Sequence, residues 1–153
     1  MVAVDANILL RLIQIGHPHQ NAAVESIAVL RQRDKEEFTT CVQALCEMYA
    51  ICTRPLNAPI PGFGLTSGDA IERIEVAARQ FPPVPDPPTL FNRWKELVVR
   101  YGVLGKASHD ARLAAAIIER KIPRLLTFND ADFVRYTEIE VLNPFDVSGL
   151  PRI

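Results

Sequence analysis

Acidic residues stand at places where an α/β fold can use them. The chain opens Met1-Val2-Ala3-Val4-Asp5-Ala6-Asn7-Ile8-Leu9-Leu10, a short β-branched run that meets an acid and an amide and then turns helical. Asp5 would sit just past the carboxyl end of a buried strand, where open parallel sheets carry their ligands and chemistry. The same position also suits a plain helix N-cap. Asp110 falls in the first turn of a later helix, where an acid also complements the helix dipole. Asp130 and Asp132 follow a third apolar run, Leu125-Leu126-Thr127. Glu47 is the one charged residue before Arg54 in an otherwise apolar helical stretch, Val42 to Cys52. A carboxylate on an enveloped helix costs several kcal/mol, in rough terms, unless it is paired or coordinated.

Such acids gathered in one crevice cannot all stay ionised without a cation. Hard divalent ions with oxygen ligands, Mg²⁺ or Mn²⁺, resolve the conflict. A site of that kind does phosphoryl chemistry by activating water and neutralising charge at the phosphodiester.

The elements that must position these acids are legible as alternation. Val2–Val4 reads as a strand and Ile8–Ile15 as an apolar helix closed by Gly16. Ala22, Ala23, Ile27 and Leu30 give a helical stripe after His17-Pro18-His19, whose histidines read as structural. Phe38–Thr40 makes a short strand, and Thr40-Cys41-Val42-Gln43 fits a capping box for a helix from Cys41 to about Thr53. Pro55 to Gly64 holds three prolines and two glycines and reads as a loop that could move or cover a site. Ser67 caps a helix to about Arg79, and the proline-rich run after Phe81 allows at most an edge strand near Val84. Helices follow at Leu90–Tyr101, with Trp94 on its core face, and from Ser108, as cap, to Lys121. Strands are expected at Pro123–Thr127 and Ile139–Leu142, with a loop at Phe128–Phe133 and Pro144 ending regular structure. Strands alternating with helices indicate a three-layer α/β/α sandwich around a central parallel sheet. The 153 residues form one domain, 1–153, with no repeat or linker.

Composition narrows the setting. No apolar run reaches membrane-spanning length, and the amino terminus lacks the layout of a signal peptide. Cys41, Cys46 and Cys52 fall in one expected helix without a CxxC pair, which fits reduced buried thiols in a cytoplasmic protein. Net charge is −1, but Phe91 to Arg135 holds nine bases against five acids. If some of those acids bind metal, the surface left over is basic and suits a phosphate backbone. A solvated helix face would give the same count.

The sequence resembles the PIN-domain family, and within it the VapC-type toxin ribonucleases. The match is carried by Val4-Asp5-Ala6-Asn7-Ile8-Leu9-Leu10, Glu47, Ser108-His109-Asp110-Ala111 and Leu126-Thr127-Phe128-Asn129-Asp130-Ala131-Asp132-Phe133, which span essentially the whole chain. The resemblance implies a PIN-like fold, a homodimer, and Mg²⁺- or Mn²⁺-dependent endonucleolytic cleavage of RNA that leaves a 5′-phosphate. It also implies an antitoxin that holds the toxin inactive. Carried over by position, Asp5, Glu47, Asp110 and Asp132 are the catalytic acids and metal ligands, with Asp130 as the alternative fourth acid. Asn7, Thr127 and Asn129 are polar supports. A catalytic role for His109 is not expected, since it alternates away from Asp110. A non-catalytic RNA-binding or regulatory module is the competing reading. A haloacid-dehalogenase-type phosphatase would need a second Asp where Asn7 stands, and the pattern of a receiver domain is absent.

Overall fold

The computed structural model describes residues 1–153. Its sheet has five strands, all parallel: β1 (Val2–Val4), β2 (Phe38–Cys41), β3 (Pro83–Val84), β4 (Arg124–Leu126) and β5 (Glu140–Leu142). Their order across the sheet is β3-β2-β1-β4-β5. The chain therefore builds outward from β1 in one direction, returns, and builds outward on the other side through β4. The turn-over between β1 and β4 is a topological switch point, where the loops after neighbouring strands part to leave a crevice.

Eight helices cover the sheet: α1 (Ala6–Ile13), α2 (Gln20–Gln32), α3 (Val42–Thr53), α4 (Ser67–Gln80), α5 (Leu90–Arg100), α6 (Ala107–Glu119), α7 (Asp130–Phe133) and α8 (Pro144–Ser148). Successive strand residues point to opposite faces, so β1 feeds two cores. Val2 and Val4 join Leu9, Ala23, Leu30, Met48 and Leu126 under α1 to α4. Ala3 joins Leu97, Ala114, Ile117, Leu125 and Tyr136 under α5 and α6. This is the three-layer α/β/α sandwich expected from the sequence.

Several boundaries differ from the sequence reading. Helix α1 starts at Ala6 because Asp5 caps it, its side chain accepting from the Ala6 N–H. The capping box at Thr40 does not form. Thr40 Oγ1 instead donates to the Val4 carbonyl of the neighbouring strand at 2.9 Å, and Cys41 stands at the N-cap of α3 without a side-chain bond. Cys41 thus ends β2, so the three cysteines do not share one helix, and Cys46 is exposed. Thr66, not Ser67, caps α4 by accepting from the Asp69 N–H. Lys106, not Ser108, precedes α6. The loop expected at Phe128–Phe133 closes into the single turn of α7. Pro144 does not end regular structure but opens α8 at its first turn, with Asn143 as cap, because a proline lacks only an N–H that a helix start does not use. The edge strand at Val84 forms as expected.

The Pro55–Gly64 segment folds back onto the end of α3. A helix leaves its last carbonyls without intrahelical partners, and here Phe63 N–H donates to Ile51 O at 3.1 Å and Leu65 N–H to Cys52 O at 2.9 Å. Gly64 N–H donates to Arg54 O at 2.9 Å. Gly62 makes the close approach possible: a Cβ there would lie 2.4 Å from Arg54 Cβ and from Ile51 O.

Candidate active site

Asp5 emerges at the carboxyl end of β1 and is buried. Its Oδ1 accepts from Ala6 N–H at 2.6 Å, and its Oδ2 accepts from Asn7 Nδ2 at 2.8 Å and from Thr127 Oγ1 at 2.7 Å. Thr127, just past the end of β4, has its hydroxyl orientation fixed by its neighbours. Asn7 Nδ2 at 2.9 Å and Asn129 N–H at 3.0 Å both donate to Oγ1, so its one proton goes to Asp5. The Asn7 amide is fixed in turn by Phe128 N–H, which donates to Oδ1 at 3.2 Å. Asn7 and Thr127 therefore hold the carboxylate of Asp5 across the switch point.

Asp5, Glu47 and Asp110 line one cleft of about 280 Å³, together with Asn7, Leu10, Arg54 and Asn129. Glu47 and Asp110 also line an adjoining cleft with Asn129, Asp132, Lys106 and His109. Four acids from four elements thus ring two connected hollows. Asp130 lies elsewhere: its Oδ1 accepts from Asn143 Nδ2 at 3.0 Å, and its Oδ2 sits 3.3 Å from Arg152 Nη2. No three of the acidic, histidine or cysteine side chains converge tightly enough to enclose an ion as they stand.

Electrostatics follow this crowding. The Asp5 carboxyl is pushed up to about 6, chiefly by burial and also by the charges of Glu47 and Asp110, against the lowering by the hydrogen bonds from Thr127 and Ala6. Asp110 is also raised, first by burial and then by Asp132 and Glu47, while His109 and Lys106 pull it down. Carboxylates that raise one another's proton affinity form a donor set suited to a hard divalent cation.

Glu47 departs from its expected setting. Helix α3 is not enveloped: Val42, Cys46, Glu47 and Ala50 are exposed, because that face looks onto the clefts. Burial is not the reason for a carboxylate there. Its orientation comes from Gln43, one turn earlier, whose Nε2 donates to Glu47 Oε1 at 2.7 Å and to His109 O at 3.0 Å. Arg112 Nη1 donates to Gln43 Oε1 at 2.8 Å, so the amide cannot turn over, and Arg112 Nη2 is anchored on Asp86 Oδ2 at 2.6 Å. Gln43, Arg112 and Arg54 are site residues that the sequence does not announce. An i, i+4 Gln–Glu pair is visible in sequence, but the contacts to Arg112 and to the cleft are long-range.

Four of the nine bases between Phe91 and Arg135 are spent in ion pairs within the fold, while Lys95, Lys106, Arg120, Lys121 and Arg135 take part in none. Arg93, Arg100, Arg112 and Arg124 pair with Glu96, Glu119, Glu138, Asp86, Glu36 and Glu140. His17 and His19 are structural, the His19 ring packing tilted against Phe128 and edge-on to Phe145.

Fold and cleft together define a parallel α/β protein with a carboxylate-lined site at its topological switch point. A family model described as PIN domain matches residues 2–139, and the chain belongs to that family. Its fold is also that of solved structures of low identity. VapBC2 from Rickettsia felis, bound to a DNA fragment from their promoter, matches with a TM-score of 0.68 at 14% identity, over 94% of this chain and 98% of that one. FitAcB from Neisseria gonorrhoeae matches with a TM-score of 0.68 at 16% identity, over 95% and 99%. VapBC-1 from nontypeable Haemophilus influenzae matches with a TM-score of 0.66 at 15% identity, over 94% and 98%. No curated protein matches the chain. No helix is long and apolar enough to cross a membrane.

Proposed function

We propose that this chain is a Mg²⁺- or Mn²⁺-dependent endoribonuclease and the toxin of a type II toxin–antitoxin pair. The observation that carries the reading is Asp5: a buried carboxylate held above its ordinary proton affinity, sharing one cleft with Glu47 and Asp110. Asp5 and Asp110 would hold the cation, with Glu47 and Asp132 completing the donor set. When bound, the cation supplies Lewis acidity to the phosphodiester and to the attacking water, and neutralises the acids.

The chain's own residues do the rest. Thr127 and Asn7 fix the Asp5 carboxylate, so no rotamer search precedes binding. Gln43 holds Glu47 Oε1, so Oε2 is the oxygen left to complete the donor set or, where Glu47 is not a direct ligand, to orient the attacking water and take its proton. Hydrolysis proceeds without a covalent enzyme intermediate, and the strand is cut to leave a 5′-phosphate. Asn129 lines both clefts.

Membership of the PIN family and the likeness to chains solved in VapBC and FitAcB assemblies support an antitoxin partner. A homodimer is the assembly we propose for the free toxin. The test is cleavage of RNA by the purified protein with Mg²⁺ or Mn²⁺, and its loss in excess EDTA and in Asp5→Asn. RNA binding without cleavage in any divalent ion would place the chain among non-catalytic modules instead.

A further inference from the structure

Three carboxylates and one cation line the main cleft, and the cation is Arg54. A guanidinium beside Asp5, Glu47 and Asp110 would ordinarily pair with one of them, yet Arg54 takes part in none of the ion pairs of the protein. Its one side-chain hydrogen bond is a long one, from Nη1 to the Ile60 carbonyl at 3.4 Å. Guanidinium carries five N–H donors in a planar fork that matches phosphate oxygens. Most of those donors are unspent here. The other cations at the clefts differ: Arg112 is committed to Gln43 and Asp86, and Lys106 lies in the adjoining hollow beside Asp110.

Arg54 is also held in place by a segment with no other evident task. It is the first residue after α3, and Gly62, packed against its Cβ and carbonyl, closes the Pro55–Gly64 loop over it. The backbone bonds from Phe63, Gly64 and Leu65 fasten that loop to the end of the helix. The loop therefore fixes where Arg54 leaves the backbone, at the rim of the acid cleft.

We propose that Arg54 is a phosphate-binding residue of this site, taking a non-bridging oxygen of an RNA phosphate beside the carboxylate cluster. This rests on the nuclease reading, and it deepens it by naming the residue that grips the backbone. It also gives the Pro55–Gly64 segment a positioning role, where the sequence alone allowed a mobile cover.

The test uses the full chain with Arg54→Gln and Arg54→Lys, both of which keep the aliphatic stem against Gly62. Inorganic phosphate is titrated into the Mg²⁺-saturated protein by calorimetry, Mn²⁺ binding is measured separately, and RNA cleavage is followed in parallel. Arg54→Gln is expected to weaken phosphate binding about 10- to 100-fold, the size of a lost charge-assisted contact, with Mn²⁺ affinity not reduced. Arg54→Lys, which keeps the charge without the fork, is expected to fall between. RNA cleavage should lose in KM before kcat. Equal phosphate affinity in wild type and Arg54→Gln, or no phosphate binding by wild type, overturns the proposal even if RNA is cleaved. Phosphate binding that depends on Arg54 in a protein that cleaves no RNA leaves the phosphate site standing and removes the nuclease reading.

Discussion

Asp5 combines two jobs that pull in opposite directions. As the cap of α1 and the acceptor for Asn7 and Thr127 it is structural, yet its burial beside Glu47 and Asp110 works against its charge. The sign of the pH effect follows. The folded-state value of about 6 lies above the ordinary 3.8, so folding favours the protonated form. The stability contributed by that proton is fully present below pH 3.8 and is lost as pH rises through about 6. A tenfold change in proton affinity is worth about 1.4 kcal/mol, so the loss is of order 3 kcal/mol. In EDTA, wild type should therefore lose stability relative to Asp5→Asn between about pH 4 and pH 7. Asparagine would put an amide opposite Asn7 Nδ2, so the pH slope from denaturant titrations is the readout, not the absolute difference. At neutral pH, Mn²⁺ should raise the Tm of wild type and leave Asp5→Asn unmoved. Thr127→Val would leave one Asn7 amide proton and the Asn129 N–H without an acceptor and take a donor from Asp5 Oδ2, at about 1–3 kcal/mol, and should weaken Mn²⁺ binding; unchanged affinity would make Thr127 a purely structural residue.

At the scale of elements, the strand ends are the readable part. Val2–Val4 followed by Asp5 and Asn7, and Leu125–Leu126 followed by Thr127, announce themselves because an apolar run stops at a polar residue whatever its neighbours do. Glu47 stands out in the sequence for a reason that does not hold in the fold. Helix α3 looks enveloped because its residues are apolar, but Val42, Cys46 and Ala50 border the clefts and are exposed. Thr40 carries a capping-box pattern, but the Val4 carbonyl takes its hydroxyl, a tertiary choice no local window contains. The grip of Arg112 on Gln43 and the seat of Arg54 are likewise set by contacts across the fold. Gln43→Leu should free Glu47 and lower Mn²⁺ affinity about tenfold with little change in Tm, the usual reach of an outer hydrogen bond to a ligand. Gly62→Ala, whose new Cβ would meet Ile51 O and Arg54 O at 2.4 and 2.5 Å, should cost about 1–3 kcal/mol in thermal unfolding. It should also reduce phosphate binding along with Arg54→Gln. A Gly62→Ala protein as stable as wild type would mean the loop does not need that close approach.

The molecule as a whole places its site by topology. Five parallel strands in the order β3-β2-β1-β4-β5 put the ends of β1 and β4 side by side, while α3 and α6 bring Glu47 and Asp110 from opposite layers. Large apolar side chains also remain exposed, among them Ile15, Leu56, Ile60, Phe91, Val99 and Leu104. Light scattering of the purified chain should return twice the monomer mass, and a monomer at micromolar concentration would contradict the proposed dimer. Metal-dependent RNA cleavage by the carboxylates around Asp5 is decided by the cleavage rate of wild type and Asp5→Asn on one RNA. With Mg²⁺ or Mn²⁺, wild type should cut, while Asp5→Asn and wild type in EDTA fall to background with the fold intact by circular dichroism. Undiminished cleavage in either would contradict it.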